Sequence, residues 1–411
     1  MEEPILNGQL FSVSQNSINE ADFEIFLICQ GFLADRNRVR FNRISFFCNT
    51  YPVHVLGRGP MAGEVLVNAA SVASCPKLLP NCFFPIWVLW RVSRIRCHGG
   101  RKKKIVYTTY EPFNLLAGYL LQLLGFRWIA DIFDDPEKSL MIAKSVEKTP
   151  GDKLVTFAKK IEFAITKRIL KKTDFCITLI KPELVKKYFV PKEKIYSITN
   201  GVNLDIDYSS YNKEKNDIFT INYVGPIEKT RIRSLPPLIL RLAERIKNFQ
   251  IFLIGPDIKG GMAWLNKELA SIRDGVIINI TGRLPHEEVL KIISRSDVSL
   301  CLYPNDGDLN PAYPIKIFEA MAVGLPVIAS RLRGISEIIT DSEDGFLVNP
   351  EDIEEAVNTI VMLKDNVSLR NTIGKNAKEK VKKFDWQLIH NGLKEEIDHF
   401  LSKAWAIDNN T

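Results

Sequence analysis

Short β-rich apolar runs, several of them closed by glycine or aspartate, alternate along this chain with longer stretches of helical periodicity. The alternation continues past the length of one domain. Residues 24–29, 53–56, 104–107, 127–130, 174–179 and 195–198 read as strands, and 36–50, 112–124, 153–171 and 181–189 read as helices among them. A βαβα order of this kind implies a parallel sheet with helices on both faces. The rhythm breaks over 203–217, a polar stretch without periodicity that reads as an interdomain linker. It then restarts, with strands at 218–224, 250–254, 276–280, 298–302 and 327–329 and helices at 235–247, 287–294, 314–323 and 351–362. Residues 385–401 form an amphipathic helix carrying Trp386, Leu388, Ile389, Leu393, Ile397 and Leu401 at helical spacing.

A chain of 411 residues is too long for one ordinary core. The expected organisation is a polar segment over 1–21, a Rossmann-like domain over 22–204, a second over 205–384, and a C-terminal helix over 385–411 that packs back on the first domain. The fold class is therefore α/β, with two Rossmann-like parallel-sheet domains facing a central cleft. Open α/β sheets take ligands beyond the carboxyl ends of their strands, so two such halves suggest an enzyme that holds two ligands.

Composition narrows the setting. With 46% hydrophobic and 25% charged residues the chain reads as a soluble globular protein, and no run approaches the ~18–20 apolar residues of a membrane span. The first twenty residues lack the basic start and apolar run of a secretory signal. Seven cysteines, odd in number and without a C-x-x-C pair, read as reduced thiols in a cytoplasmic setting. The five histidines are dispersed, so no metal site is expected. The net charge of +7 is unevenly spread: residues 65–110 contain no Asp or Glu but carry Lys77, Arg91, Arg94, Arg96, Arg101, Lys102, Lys103 and Lys104. These flank the run Cys82-Phe83-Phe84-Pro85-Ile86-Trp87-Val88-Leu89-Trp90. Rings beside cations suit an anionic membrane surface contacted through residues 77–104. The alternative is a core helix followed by a solvated basic loop. No nucleic-acid motif is visible.

The most informative stretch runs from Tyr303 to Ser330, YPNDGDLNPAYPIKIFEAMAVGLPVIAS. A strand gives way to a loop rich in Asn, Asp and Pro, and a helix then starts near Pro314, where a missing N–H is harmless. The free amides and dipole of that helix start suit a diphosphate. Lys316 adds a positive charge, and Glu319, three residues on, shares its face and can accept ribose hydroxyls.

This stretch resembles the signature of the retaining group 1 (family 4) glycosyltransferases, which have the GT-B fold. Other segments match in order. Ile198-Thr199-Asn200-Gly201-Val202-Asn203 resembles the segment before the domain junction, and Tyr223-Val224-Gly225 with Lys229 and Arg231 resembles the first donor-domain loop. Leu253-Ile254-Gly255, Ile280 to Glu288, Ser296-Asp297-Val298, Ile335 to Ile338 and Asp344 to Val348 follow. The resemblance covers about residues 195–350. It implies a metal-independent, cofactor-free transfer of a sugar from a UDP- or GDP-sugar to a glycan or lipid-linked acceptor, in the cytoplasm or at the inner face of the membrane. It implies catalytic roles for Arg231, Lys316 and Glu319, and donor contacts at Gly225, Lys229, Arg283, Tyr313, Ile315, Asp306 and Asp308.

Two positions depart from the family pattern. The first of its two glutamates, eight residues before Glu319, falls on Pro311, and its loop arginine falls on Pro226. Asp306 or Asp308 is the candidate replacement for the missing carboxylate. On the acceptor side, Gly31, Arg36, Glu111 and Asp131 stand near strand ends. A nucleotide-sugar epimerase on the same fold and a non-catalytic nucleotide-sugar-binding protein stay open as alternatives. A dehydrogenase does not fit, because no G-x-G-x-x-G follows the first strand of either half.

Overall fold

A computed structural model describes residues 23–30, 39–58, 68–76, 79–95, 103–135, 137–145, 149–211, 218–272, 275–305 and 313–408. The chain divides into two compact units. One holds the N-terminal part through Ile198 together with the chain from His390 onward, and the other holds Thr199–Ile389.

The N-terminal unit runs β1 (Phe23–Gln30), α1 (Val39–Thr50), β2 (Val53–Arg58), β3 (Ser71–Ser74), α2 (Phe84–Arg94), β4 (Lys103–Thr109), α3 (Pro112–Leu123), β5 (Arg127–Ile132), α4 (Lys138–Ser145), α5 (Pro150–Leu170), β6 (Phe175–Thr178), α6 (Lys181–Tyr188) and β7 (Ile195–Ser197). Its strands pair in parallel in the order β3-β2-β1-β4-β5-β6-β7. β1 is central, so its side chains are buried on both faces, which explains its unbroken apolar run rather than an alternating one. Phe26, Ile28, Val106, Trp128 and Cys176 face the layer formed by α2, α3, α5 and α6. Tyr107 faces the other way, against Phe47 of α1, with ring centroids 4.3 Å apart. Helix α3 lies close on the sheet: a Cβ at Gly118 would come within 2.5 Å of Trp128 Nε1. That indole nitrogen donates to Thr108 Oγ1 at 2.8 Å. Helix α5 starts with a capping box in which Thr149 and Asp152 satisfy each other's amides.

The second unit runs β8 (Phe219–Val224), α7 (Leu235–Arg245), β9 (Phe249–Ile254), α8 (Gly261–Glu268), β10 (Val276–Gly282), α9 (His286–Arg295), β11 (Val298–Cys301), α10 (Ile315–Ala322), β12 (Val327–Ser330), α11 (Arg333–Ser336), β13 (Phe346–Val348), α12 (Ile353–Asp365) and α13 (Val367–Val381). Its strands are also all parallel, in the order β10-β9-β8-β11-β12-β13. The final helix, α14 (Trp386–Asp408), begins here, and its residues from His390 onward belong to the first unit. There Phe400 stacks on Phe175 and His390 on Phe46, at 5.0 and 4.8 Å.

Both sheets reverse their winding once, between β1 and β4 and between β8 and β11. Those are the crossover crevices where open α/β sheets hold ligands. The described part of 203–217 is not free chain. Tyr208 is buried among residues of α9 and α10, and Ser294 Oγ donates to the Tyr211 carbonyl at 2.8 Å. Six elements lie outside the sequence reading: β3, α4, α8, α11, β13 and α13. β3 is a short polar edge strand, α11 and β13 have four and three residues, and α4, α8 and α13 have little apolar periodicity to announce them.

Candidate functional site

The crossover crevice of the second sheet is built from strand ends. β8 ends in Tyr223-Val224-Gly225, and β11 runs through Cys301 into Leu302 and Tyr303. Both tyrosines are buried. Burial pushes their phenol pKa values up, so both stay neutral. Between them lies the Lys316 side chain, reaching in from the first turn of α10. Its Nζ is 4.2 Å from the Tyr223 ring centroid and 4.7 Å from that of Tyr303. The residue as a whole is half-buried, but its ammonium is fully buried and makes no hydrogen bond among the described residues.

The balance of energies at that ammonium favours an anionic ligand. Two ring faces stabilise it by about 1–2 kcal/mol each, whereas burying a cation costs several kcal/mol even after relaxation. Burial wins and pulls the Lys316 pKa down to about 8, with Cys301 opposing the shift and Arg231 adding to it. Arg231 stands at the same ring, its guanidinium carbon 5.6 Å from the Tyr303 centroid. Lys229 lies over Trp264 instead, at 5.6 Å, and Arg233 faces Glu351 at 3.7 Å. Of the loop cations Lys229, Arg231 and Arg233, Arg231 is therefore the one beside Lys316.

The glycines explain how the crevice floor is formed. A Cβ on Gly225 would come within 3.2 Å of Lys316 Nζ, and its φ of 155° lies outside the usual range for L residues. A Cβ on Gly255 would come within 1.9 Å of the Gly225 carbonyl oxygen, so the loops after β8 and β9 touch backbone to backbone. Gly225 N donates to the Ile254 carbonyl and Gly255 N to that of Gly282, at 2.8 and 2.9 Å. Gly255 is more than a turn residue, because its missing side chain lets Gly225 stay next to the lysine.

Helix α10 starts at Ile315 with Pro314 as its N-cap, and no side chain among the described residues caps its first turn. Uncapped amides here point where an anion would sit. Asn200 Nδ2 donates to the Tyr313 carbonyl at 2.6 Å, and the Tyr313 hydroxyl bonds Glu337, which fixes the approach to the helix. One turn on, Glu319 is 8% exposed, and His286 Nε2 lies 2.6 Å from its Oε1. His286 is the first residue of α9 and was not among the residues singled out from the sequence. Nothing in a linear reading links a helix-start histidine to a carboxylate 33 residues away. Tyr223 and Tyr303 stand in the stretches read from the sequence but have no role there, although their places at the ends of the two strands flanking the crossover point to one. Arg283 is exposed just after β10.

Asp306, Asp308 and Pro311 fall outside the described residues, as do Gly31 and Arg36 of the N-terminal unit. In that unit Glu111 is the N-cap of α3, and its carboxylate accepts from Thr109 Oγ1 and Asn114 Nδ2 at 2.5 and 3.0 Å. Asp131 is 1% exposed, bonded by the Tyr107 hydroxyl and facing Arg43 Nη1 at 3.5 Å. Of the stretch 77–104, the described part places Phe83, Ile86 and Trp90 at the surface, with the Arg94 guanidinium 4.5 Å over the Trp90 ring. No described helix is long and apolar enough to cross a membrane.

Comparison with known proteins agrees with this geometry. A family model described as "Glycosyl transferases group 1" matches residues 219–366, which span β8 to the end of α12. The chain is 31% identical over 133 residues to the sulfoquinovosyl transferase of Arabidopsis thaliana, 32% of this chain and 25% of that one. It is 25% identical over 343 residues to an uncharacterized glycosyltransferase of Methanocaldococcus jannaschii, 79% of this chain and 83% of the other. The match thus spans a quarter of the plant relative but most of the archaeal one. Among solved structures, the Anabaena HepE protein in complex with UDP superposes with a TM-score of 0.69 at 14% identity, covering 92% of this chain and all of that one. Sucrose-phosphate synthase from Thermosynechococcus elongatus gives 0.65 at 19% identity, covering 93% and 100%. With two parallel sheets of Rossmann order, the chain has the GT-B fold, and its second unit matches the group 1 glycosyl transferase family over residues 219–366.

Proposed function

We propose that the protein transfers a sugar from a nucleoside-diphosphate donor, a UDP- or GDP-sugar, to a glycan or lipid-linked acceptor. The observation that carries this reading is the buried Lys316 ammonium, without a hydrogen-bond partner among the described residues, at the crossover of the second sheet. A diphosphate placed there meets Lys316, Arg231 and the first amides of α10. Breaking the bond between the anomeric carbon and the diphosphate oxygen builds negative charge on that oxygen. Preplaced cations and amides stabilise that charge without needing to reorganise. In this reading the acceptor oxygen attacks from the face the diphosphate leaves, its proton passes to a diphosphate oxygen, and the anomeric configuration is retained. No metal is needed to neutralise the leaving group. Glu319, oriented by His286, accepts the ribose hydroxyls. Glu111 and the strand ends of the first unit are the proposed acceptor side.

The test measures nucleoside diphosphate released from a panel of UDP-, GDP- and ADP-sugars, with and without a membrane lipid extract. Acceptor-dependent release is the expected result. Conversion of the sugar without acceptor would make the protein an epimerase, and binding without release would make it a non-catalytic receptor. A wild-type protein that binds no nucleoside diphosphate would overturn the reading.

A further inference from the structure

The outer face of α5 is the largest feature that the transfer reaction leaves unexplained. This helix of 21 residues buries Thr156, Thr166, Ile169 and Leu170 inward. Outward it exposes Leu154, Val155, Phe157, Ile161 and Ile165, with Leu154 at 70% and Phe157 at 60% exposure. Leu154, Phe157, Ile161 and Ile165 recur at three- and four-residue intervals, so they form one stripe about 17 Å long. A surface helix of a monomer normally turns that stripe inward. Here both faces carry apolar groups, and the outer one is exposed among the described residues.

Charge identifies the occupant. Over residues 150–172 there are seven basic residues and two acidic ones. Both acids are already engaged, Asp152 in the capping box and Glu162 with Lys159 at 2.6 Å. Lys153, Lys160, Arg168 and Lys171 are exposed beside the stripe. The core of a protein–protein interface is depleted in lysine. A helix lying in a bilayer interface is rich in it, because the long stems snorkel the charge out to the headgroups while the apolar side enters the acyl boundary.

The same layer of the fold extends the surface. α2, α3, α5 and α6 all bury their inner faces in one core on one side of the first sheet, so their outer faces share that side. On α2, Phe83, Ile86 and Trp90 are exposed, and on the C-cap of α6 Phe189 is 61% exposed. Phe189 is held there at a φ of +55°, a backbone region a phenylalanine rarely adopts. Each end carries a cation on a ring, Arg94 over Trp90 at 4.5 Å and Lys167 over Phe189 at 5.2 Å.

We propose that this face, centred on α5 and continued by α2 and the end of α6, docks the protein on an anionic lipid bilayer. The contact is peripheral and goes beyond the transfer reaction, since it needs nothing from the second unit. The test is co-sedimentation of the full chain with vesicles of phosphatidylcholine alone and of an equal mixture of phosphatidylcholine and phosphatidylglycerol. The protein is expected to partition onto the mixed vesicles and to be released by salt. Phe157→Gln with Ile161→Gln, and separately Lys160→Gln with Arg168→Gln, should each weaken that partition at least about tenfold. Both variants should fold as the parent does by circular dichroism and keep its nucleoside diphosphate affinity, because the changed side chains are exposed and lie in the first unit. Wild-type protein that ignores mixed vesicles, or variants that sediment as well as the parent, would refute the proposal. So would a dimer in ultracentrifugation that the apolar variant dissolves, which would make a second copy the cover. Donor binding that fails while partition holds would strike the transfer reaction alone.

Discussion

In the first sheet, the charged and polar groups near the strand ends are paired with one another. Thr109, Glu111 and Asn114 form a hydrogen-bonded set at the start of α3, and Asp131 lies between the Tyr107 hydroxyl and the Arg43 guanidinium, which faces it as an ion pair rather than through a hydrogen bond. In the second sheet, which winds in the same order from its third strand to its sixth, the charge at the crossover meets two aromatic faces and no hydrogen-bond partner among the described residues. Topology alone therefore fixes where a ligand can sit but not what kind it is. An internally neutralised cluster keeps a strand end rigid, while a cation left without a counter-ion stores a preference for an anion. The second unit carries the family match, and a buried charge without a hydrogen-bond partner among the described residues is what supports the proposed donor site there.

Breaking the paired cluster should have the largest effect. Arg43→Met removes the guanidinium that faces the buried Asp131 carboxylate, and should cost about 3–5 kcal/mol of stability in chemical denaturation. Nucleoside diphosphate affinity should stay within about twofold if the two units carry separate tasks. A large loss of affinity would dissolve the contrast. Lys316→Met does the reverse. It should weaken nucleoside diphosphate binding about a hundredfold by calorimetry, yet stabilise the ligand-free protein by about 1–3 kcal/mol, because it removes a buried uncompensated charge. A destabilised Lys316→Met protein would mean that the ammonium already has the partner it needs.

Proton linkage gives an intermediate effect. Lys316 binds its proton less tightly folded, at about 8, than unfolded, at 10.5. The stability of the free protein should therefore rise with pH across that window, since the unfolded chain holds more protons there. A bound diphosphate restores the higher value, so binding above about pH 8 should take up a proton and weaken by as much as about tenfold per pH unit. Calorimetry in two buffers of different ionisation heat reads the uptake. Affinity that is flat through pH 9 would remove the lysine from the ligand. The smallest change is expected for His286→Ala, which frees the Glu319 carboxylate from its neighbour at 2.6 Å. The KM for donor should rise about tenfold with kcat little changed. An unaltered KM would leave the pair a structural contact.

Much of this was readable in the chain, for reasons that can be named. The central strands announced themselves because burial on both faces demands continuous apolar runs, as in β1 and β5. Pro314 marked the start of α10 to within one residue, and Lys316 and Glu319 were found because they share that helix with it. β3 was missed because an edge strand of sequence Ser-Val-Ala-Ser has little to bury. The aromatic walls around Lys316, and His286 against Glu319, were out of reach because each joins residues from different strands or helices. For α5 the sequence shows a helix over 153–171 and no more: periodicity shows that a helix has an apolar stripe, but not that a second stripe faces solvent.

The end of β11 has a mechanical consequence. Ser330 Oγ accepts from the Tyr303 amide at 2.9 Å and donates to the Tyr303 carbonyl at 2.7 Å. A single hydroxyl on the neighbouring strand thus clamps both backbone handles of the residue whose ring flanks the ammonium. The ring beside Lys316 is thereby anchored from β12 and not from the residues that follow it in the chain. In the proposed reaction, the residues directly after Tyr303 can then vary with the sugar while the ring keeps its place.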